Sequence, residues 1–96
     1  MSLFLVGYDL QEGENYDDLI DAIKNLADGY WHNLDSTWFV LADSTTHDIR
    51  DKLAPHLPRR DKDRLLVVKI QTPVHYALTQ AFSDKAKEWL KNHLSA

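Results

Sequence analysis

Residues 3–10 read Leu-Phe-Leu-Val-Gly-Tyr-Asp-Leu, an apolar and β-favouring run that ends around a carboxylate. A strand that is buried on both faces has this near-continuous apolar pattern, whereas a strand with one wet face alternates. The run therefore predicts a central strand. Alternation places Leu3, Leu5, Gly7 and Asp9 on one face of it and the other four side chains on the opposite face. Asp9 then lies at the C-terminal end of an interior strand.

The rest of the chain divides into further strands and helices. Runs of β-favouring residues predict strands at 30–34, 37–42 and 65–70, and the second of these is apolar on both faces. In the last strand we expect residues 66, 68 and 70 to face inward. Apolar residues at helical spacing predict helices at about 16–28, 46–54 and 84–94. Each helix follows a residue suited to an N-cap: Asn15, Thr45 and Ser83.

The order strand, helix, strand, strand, helix, strand predicts an α+β fold of the ferredoxin-like split βαβ (βαββαβ) type, with an antiparallel sheet and two helices on one face. We expect a single domain over 1–96, made of a core at 1–71 and a C-terminal extension at 72–96 that ends in a helix. Within the extension, 72–82 is predicted to be an edge strand or a loop. The opposite sheet face would be bare and apolar, which predicts a homodimer that packs sheet against sheet.

Composition narrows the class of protein. A 96-residue chain with 44% apolar residues can bury one core, and it has no cysteine for disulfide or thiolate chemistry. No apolar run approaches the roughly 20 residues of a membrane span, and the N-terminal run has no basic leader, so we expect no membrane contact and a cytoplasmic location. The net charge of −4 argues against a general binder of polyanions.

One basic segment runs against that overall balance. From residue 50 to residue 69 there are seven bases and three acids. Within it, four cations are candidate contacts for the phosphates of RNA or DNA: Arg59, Arg60, Lys62 and Arg64. The alternating Asp61 and Asp63 favour the alternative, in which the segment is an ordinary solvated turn. Similarly, Tyr8, Trp31 and Trp38 suit either base stacking or a core.

Asp9 has the best claim to chemistry in a sequence without a phosphate loop, a nucleophile elbow or a helical His-x-x-x-His pair. A strand-end carboxylate is an oxygen ligand of the kind that Mg²⁺ prefers. One carboxylate makes a poor site, whereas two copies related by a twofold axis would bring two. The alternative is that Asp9 caps the turn that follows it.

Three short motifs resemble a known family. The run Val-Gly-Tyr-Asp-Leu at 6–10 resembles the opening strand of CRISPR-associated protein 2. The pattern Trp-His-x-Leu-x-Ser-Thr-Trp at 31–38 is similar to small SinR-like proteins, a related group near the VapD toxins, whose closing helix resembles Glu-Trp-Leu-Lys at 88–91. The resemblance covers roughly residues 1–71. It implies a ferredoxin-like homodimer that either cleaves RNA or DNA with a metal ion, with Asp9 matching the family's metal-binding aspartate, or acts as a structural dimer that bridges an integrase without cleavage.

Two functions from different classes remain open. The first is a metal-dependent endonuclease in which two Asp9 carboxylates hold Mg²⁺ and the basic residues at 59–64 position the strand. The second is a non-catalytic dimeric module or scaffold for nucleic acid or a protein partner. The chain departs from the family in its acidic balance and in having no clear second acid beside Asp9, and both departures favour the second function.

Overall fold

A four-stranded antiparallel sheet with strand order β2–β3–β1–β4 organises the protein. The computed structural model describes residues 1–11 and 15–95. In chain order the elements are β1 (Ser2–Asp9), α1 (Asp17–Leu26), β2 (Gly29–Trp31), β3 (Thr37–Ala42), α2 (Thr46–Leu53), a 3₁₀ turn (Ala54–His56), β4 (Arg64–Ile70) and α3 (Asp84–Leu94). The α+β class with an antiparallel sheet is confirmed, and the order is compatible with a small ferredoxin-like fold.

Two of the three capping residues expected from the sequence cap their helices. The Thr45 side chain accepts a hydrogen bond from the Asp48 backbone N–H at 3.1 Å, and Ser83 accepts one from Ala86 at the same distance. The expectation for Asn15 is wrong: the N-cap of α1 is Tyr16, which makes no side-chain capping bond, and the Asn15 Oδ1 accepts from the Asp17 N–H at 2.7 Å from one position earlier. These bonds satisfy donors that a helix cannot pair internally, which explains why the helices begin close to the predicted positions.

β1 is one of two interior strands, as predicted, and the other is β3. It pairs with β3 from Ser2↔Ala42 to Gly7↔Thr37 and with β4 from Leu3↔Ile70 to Asp9↔Arg64. One face of the sheet packs against α1 and α2, and we call it the α1/α2 face. Its core consists of side chains from β1, β3 and the two helices: Phe4, Val6, Tyr8, Trp38, Val40, Ala42, Leu19, Ile23, Ile49 and Leu53.

The expectation of a bare opposite face is wrong, because α3 packs on it. We call it the α3 face. Ala86, Leu90 and Leu94 of the helix form a buried cluster with Leu3 and Trp31 of the sheet. The Trp31 indole Nε1–H donates a hydrogen bond to the Ala86 carbonyl oxygen at 3.1 Å. β1 and β3 carry apolar side chains on both faces, so both faces of the sheet must pack against other elements. The apolar side of α3 packs against the second face.

α3 does not cover the whole α3 face, and the exposed side chains of β4 show which part it leaves uncovered. Leu66 and Val68 lie on the α3 face but are 61% and 39% exposed, so the expectation that both face inward is wrong. The register explains this, since it places Leu65 and Val67 beside the buried Tyr8 and Val6 on the other face. The α3 face is therefore open at the Asp9 end of β1 and β4.

The segment at 72–82 is a loop rather than an edge strand. Val74, Leu78 and Phe82 pack against the cluster beneath α3. An apolar cleft of about 350 Å³ lies between this loop and the sheet, with Phe39, Tyr76 and other uncharged residues in its lining. Among the residues described, none of the helices is long and apolar enough to cross a membrane.

The contribution of α3 can be tested by truncating one of its buried side chains. Leu90 is 2% exposed, so Leu90→Ala should lower the free energy of unfolding by about 3 kcal/mol through lost burial and a residual cavity. The matched control is Leu34→Ala, because Leu34 is 47% exposed and should change stability by less than about 1 kcal/mol. Urea denaturation measures both. Equal effects from the two substitutions would contradict the packing of α3 on the sheet.

Candidate functional site

Asp9 ends β1 with an exposed side chain at the open end of the α3 face. Its direct neighbour across the strand pair is Arg64, the first residue of β4. The alternative that Asp9 caps the following turn falls on residues 12–14, which lie outside the described residues. A shallow depression of about 240 Å³ beside it is lined by Gly7, Leu66 and other residues of the two strands.

The carboxylate of Asp63, rather than that of Asp9, hydrogen-bonds the basic loop before β4 to a residue just beyond the end of β1. One oxygen of Asp63 accepts the Gln11 backbone N–H at 3.0 Å, and the other accepts the Arg59 backbone N–H at 2.6 Å. Asp63 is only 7% exposed. The Gln11 side chain also donates to the Lys62 carbonyl at 3.4 Å. Asp63 therefore closes the loop on itself through Arg59, and Lys62 and Asp63 hold the C-terminal side of the loop against Gln11 just beyond β1.

Turning Asp63 inward changes the charge that the loop presents to solvent. The four cations predicted to contact phosphate are all exposed: Arg59, Arg60, Lys62 and Arg64. Among the described residues, the exposed acids at this end of the sheet include Asp61 within the loop, Asp9 beside it and Asp35, whose backbone carbonyl accepts from the Tyr8 hydroxyl at 3.5 Å. Of the two acids whose alternation with the bases favoured an ordinary solvated turn, Asp63 is therefore buried and accepts backbone hydrogen bonds, and only Asp61 is exposed in the loop. The structure brings the cations and Asp9 to the same end of the sheet.

Asp9 does not belong to a cluster of metal-ligating side chains among the described residues. In the part of the chain that the structure describes, no group of three or more His, Asp or Glu side chains is close enough to hold a metal ion. Asp9 supplies one carboxylate, and its nearest cross-strand neighbour is the cationic Arg64. Mg²⁺ is usually held by one or two carboxylates together with water and substrate phosphates. Among the described residues, Asp9 is therefore a single carboxylate beside a cation rather than part of a ligand cluster.

The aromatic candidates for base stacking belong to the core. Trp38 is fully buried, Trp31 is 3% exposed and Tyr8 is 7% exposed. The Trp38 indole Nε1–H donates to the Tyr8 hydroxyl at 3.1 Å. Burial raises the pKa of the Tyr8 phenol, and this hydrogen bond from Trp38 opposes the rise in part. The core interpretation of the three aromatic residues is confirmed, and base stacking on them would require the sheet to open.

Sequence reasoning missed the role of Asp63 as the anchor of the loop. It lies four residues after Arg59 and directly before a strand, in a run where acids and bases alternate. That pattern gives no sign of which acid turns inward. The signal is the pairing of Asp63 with the Gln11 N–H, which joins residues 52 positions apart and appears only once β1 and β4 are aligned.

No family model, curated protein or solved structure matches this chain. The interpretation of the site therefore rests on its own residues.

The anchoring role of Asp63 can be tested against its neighbour in the same loop. Asp63→Asn leaves one acceptor oxygen and places an amide donor near a backbone N–H, so it should lower the free energy of unfolding by about 1 to 3 kcal/mol. Asp61→Asn removes the same charge from an exposed position and should change stability by less than about 0.5 kcal/mol. Urea denaturation compares the two. The anchor would be disproved if Asp63→Asn proved as harmless as Asp61→Asn.

Proposed function

We propose that this protein is a nucleic-acid-associated module that contacts the phosphate backbone of RNA or DNA through the loop at 59–64 and does not cleave it. The proposal is carried by the Asp63 anchor, which fixes the loop while its four cations stay exposed. A fixed loop loses less conformational freedom on binding than a mobile one, so its charges convert more fully into affinity. Sugar and phosphate contacts of this kind carry no base sequence information.

The acidic balance of the rest of the chain suits a localised contact. The net charge is −4, and the exposed first turn of α1 carries Asp17 and Asp18. A polyanion is therefore repelled by most of the surface and attracted at one end, which would orient it on the protein. We further propose that the domain is a ferredoxin-like split βαβ fold related to CRISPR-associated protein 2. The homodimer that this resemblance implies is part of the same proposal.

A metal-dependent endonuclease is the second candidate, and the observation that favours it is the exposure of Asp9 beside the same cations. Cleavage by this route needs a second carboxylate beside Asp9, whose direct cross-strand neighbour is the cationic Arg64. A second copy would have to bring its own Asp9 to the first. Because α3 occupies most of the face through which two sheets would pack, only the open end near Asp9 is left for such an approach.

Binding through the loop predicts a specific salt dependence. Arg60→Ala combined with Lys62→Ala should weaken binding of single-stranded RNA or duplex DNA roughly 10- to 100-fold at 50 mM salt and reduce the salt slope by about 2. The matched control is Lys24→Ala combined with Lys91→Ala, which removes the same charge from exposed positions on α1 and α3 and should have little effect. Fluorescence anisotropy at several salt concentrations measures this. Equal losses in the two double variants would argue for non-specific attraction instead.

Asp9→Asn separates the two candidate functions. If the protein only binds, removing a negative charge beside the phosphates should tighten binding about 2- to 5-fold at low salt, with no cleavage in either form. Asp21→Asn on α1 is the control, since it changes the same charge at an exposed position elsewhere. The assay incubates labelled RNA and DNA with each variant, with Mg²⁺ or with chelator. If the wild type cleaved with Mg²⁺ and Asp9→Asn did not, the protein would be an endonuclease and the binding-only proposal would be wrong.

A further inference from the structure

We propose that the β4 edge pairs with the same edge of a second copy of this chain, antiparallel and centred on Val67, to form a continuous eight-stranded sheet. This inference concerns the dimer within the proposed function and departs from the face-to-face dimer expected from the sequence. It rests on the exposed edge, and it holds whether or not the protein binds nucleic acid.

The first supporting observation is that β4 is a long, uncovered edge strand. It runs over seven residues and has a hydrogen-bonded neighbour, β1, on one side only. Every second residue of such a strand directs its backbone N–H and C=O away from the sheet. Beside the middle of β4, an open groove of about 200 Å³ is lined by Thr46, His47 and Arg50 of α2 together with residues 65–67. The opposite edge, β2, has only three residues and offers little to pair with.

The second observation is the pattern of side chains along the strand. Residues 65–68 are uncharged, and the charges Arg64 and Lys69 flank them. In an antiparallel pair about a twofold axis at Val67, Leu66 of one copy lies opposite Val68 of the other, twice over. These are the two residues of β4 that are apolar and most exposed.

The same register keeps like charges apart. Arg64 falls opposite Ile70 of the second copy, and Lys69 falls opposite Leu65, along which its aliphatic stem can lie. Two Arg64 residues are then separated by six residue steps along the strand, or about 20 Å. An unrelated extended peptide could pair with the backbone groups of this edge equally well. We favour a second copy of this chain because its β4 carries Leu66 and Val68 at the spacing that places each opposite the other.

Edge pairing has a consequence for the candidate site. Asp9 lies beside Arg64, so the two Asp9 carboxylates would be of the same order apart, about 20 Å, and cannot share one metal ion. The two basic loops would instead lie at separate places on one sheet and could engage one long strand of nucleic acid at two points. The inferred dimer therefore fits binding and opposes cleavage by a shared metal.

The absence of cysteine from the sequence gives a direct test of the register. Val67→Cys would place two thiols opposite each other across the twofold axis, with Cβ atoms about 4.5 to 5.5 Å apart before small adjustment. Mild oxidation without nucleic acid should convert more than half of this variant to a disulfide dimer. Tyr30→Cys, at the middle of the β2 edge, should give less than a tenth of that yield.

A second measurement tests the side-chain pairs in solution. Wild type should sediment at twice its 11.1 kDa mass at micromolar concentration. Leu66→Lys should weaken association at least 10-fold, as should Val68→Glu, and the two substitutions combined should restore it because the new charges face each other. Leu34→Lys, which also charges an exposed leucine but lies outside β4, should leave the dimer intact. A wild-type monomer at 100 µM, or a dimer that ignores Leu66→Lys and does not cross-link at residue 67, would overturn the inference.

Discussion

The burial of β1 on both faces is the constraint on which the rest of the structure depends. β1 is hydrogen-bonded to β3 and to β4, and its side chains enter two separate apolar clusters. A strand of this kind is stable only between two covering layers, because each face removes apolar surface from water. α1 and α2 form one layer. The tail helix α3 forms the other, and the Trp31–Ala86 hydrogen bond joins it to the sheet.

The extent of the layer formed by α3 determines which part of the sheet stays exposed for binding. α3 and the loop at 72–82 cover the end of the α3 face where β1 begins and the β3 side, and they leave the β1 and β4 side uncovered where β1 finishes. The open end holds Asp9, the anchored basic loop and the exposed edge of β4. The cations for phosphate binding, the Asp9 carboxylate and a strand available for pairing therefore lie together at one end of a small domain. The proposed binding and the proposed dimer both use what the second layer leaves uncovered.

The sequence predicts those features that depend on local pattern. The central strand, the strand at Thr37–Ala42 and the helices with their caps follow from apolar periodicity and from residues such as Thr45 and Ser83. Features that depend on alignment between distant segments were wrong or missed. The apolar stripe of the tail helix was visible, but nothing local indicated that it packs beneath Trp31. The orientation of Leu66 and Val68 and the inward turn of Asp63 likewise depend on the register of β4 against β1.

The cover of the second face can be measured directly through the three tryptophan indoles. The Trp31 and Trp38 N–H groups are buried and hydrogen-bonded, whereas Trp89 is partly exposed on α3. Hydrogen exchange by NMR should therefore find slow exchange for Trp31 and Trp38 and fast exchange for Trp89, with a nuclear Overhauser effect between the Trp31 indole proton and Ala86. If the Trp31 indole exchanged as fast as that of Trp89 and showed no contact with Ala86, α3 would not cover the sheet, and the account of the open end would fail.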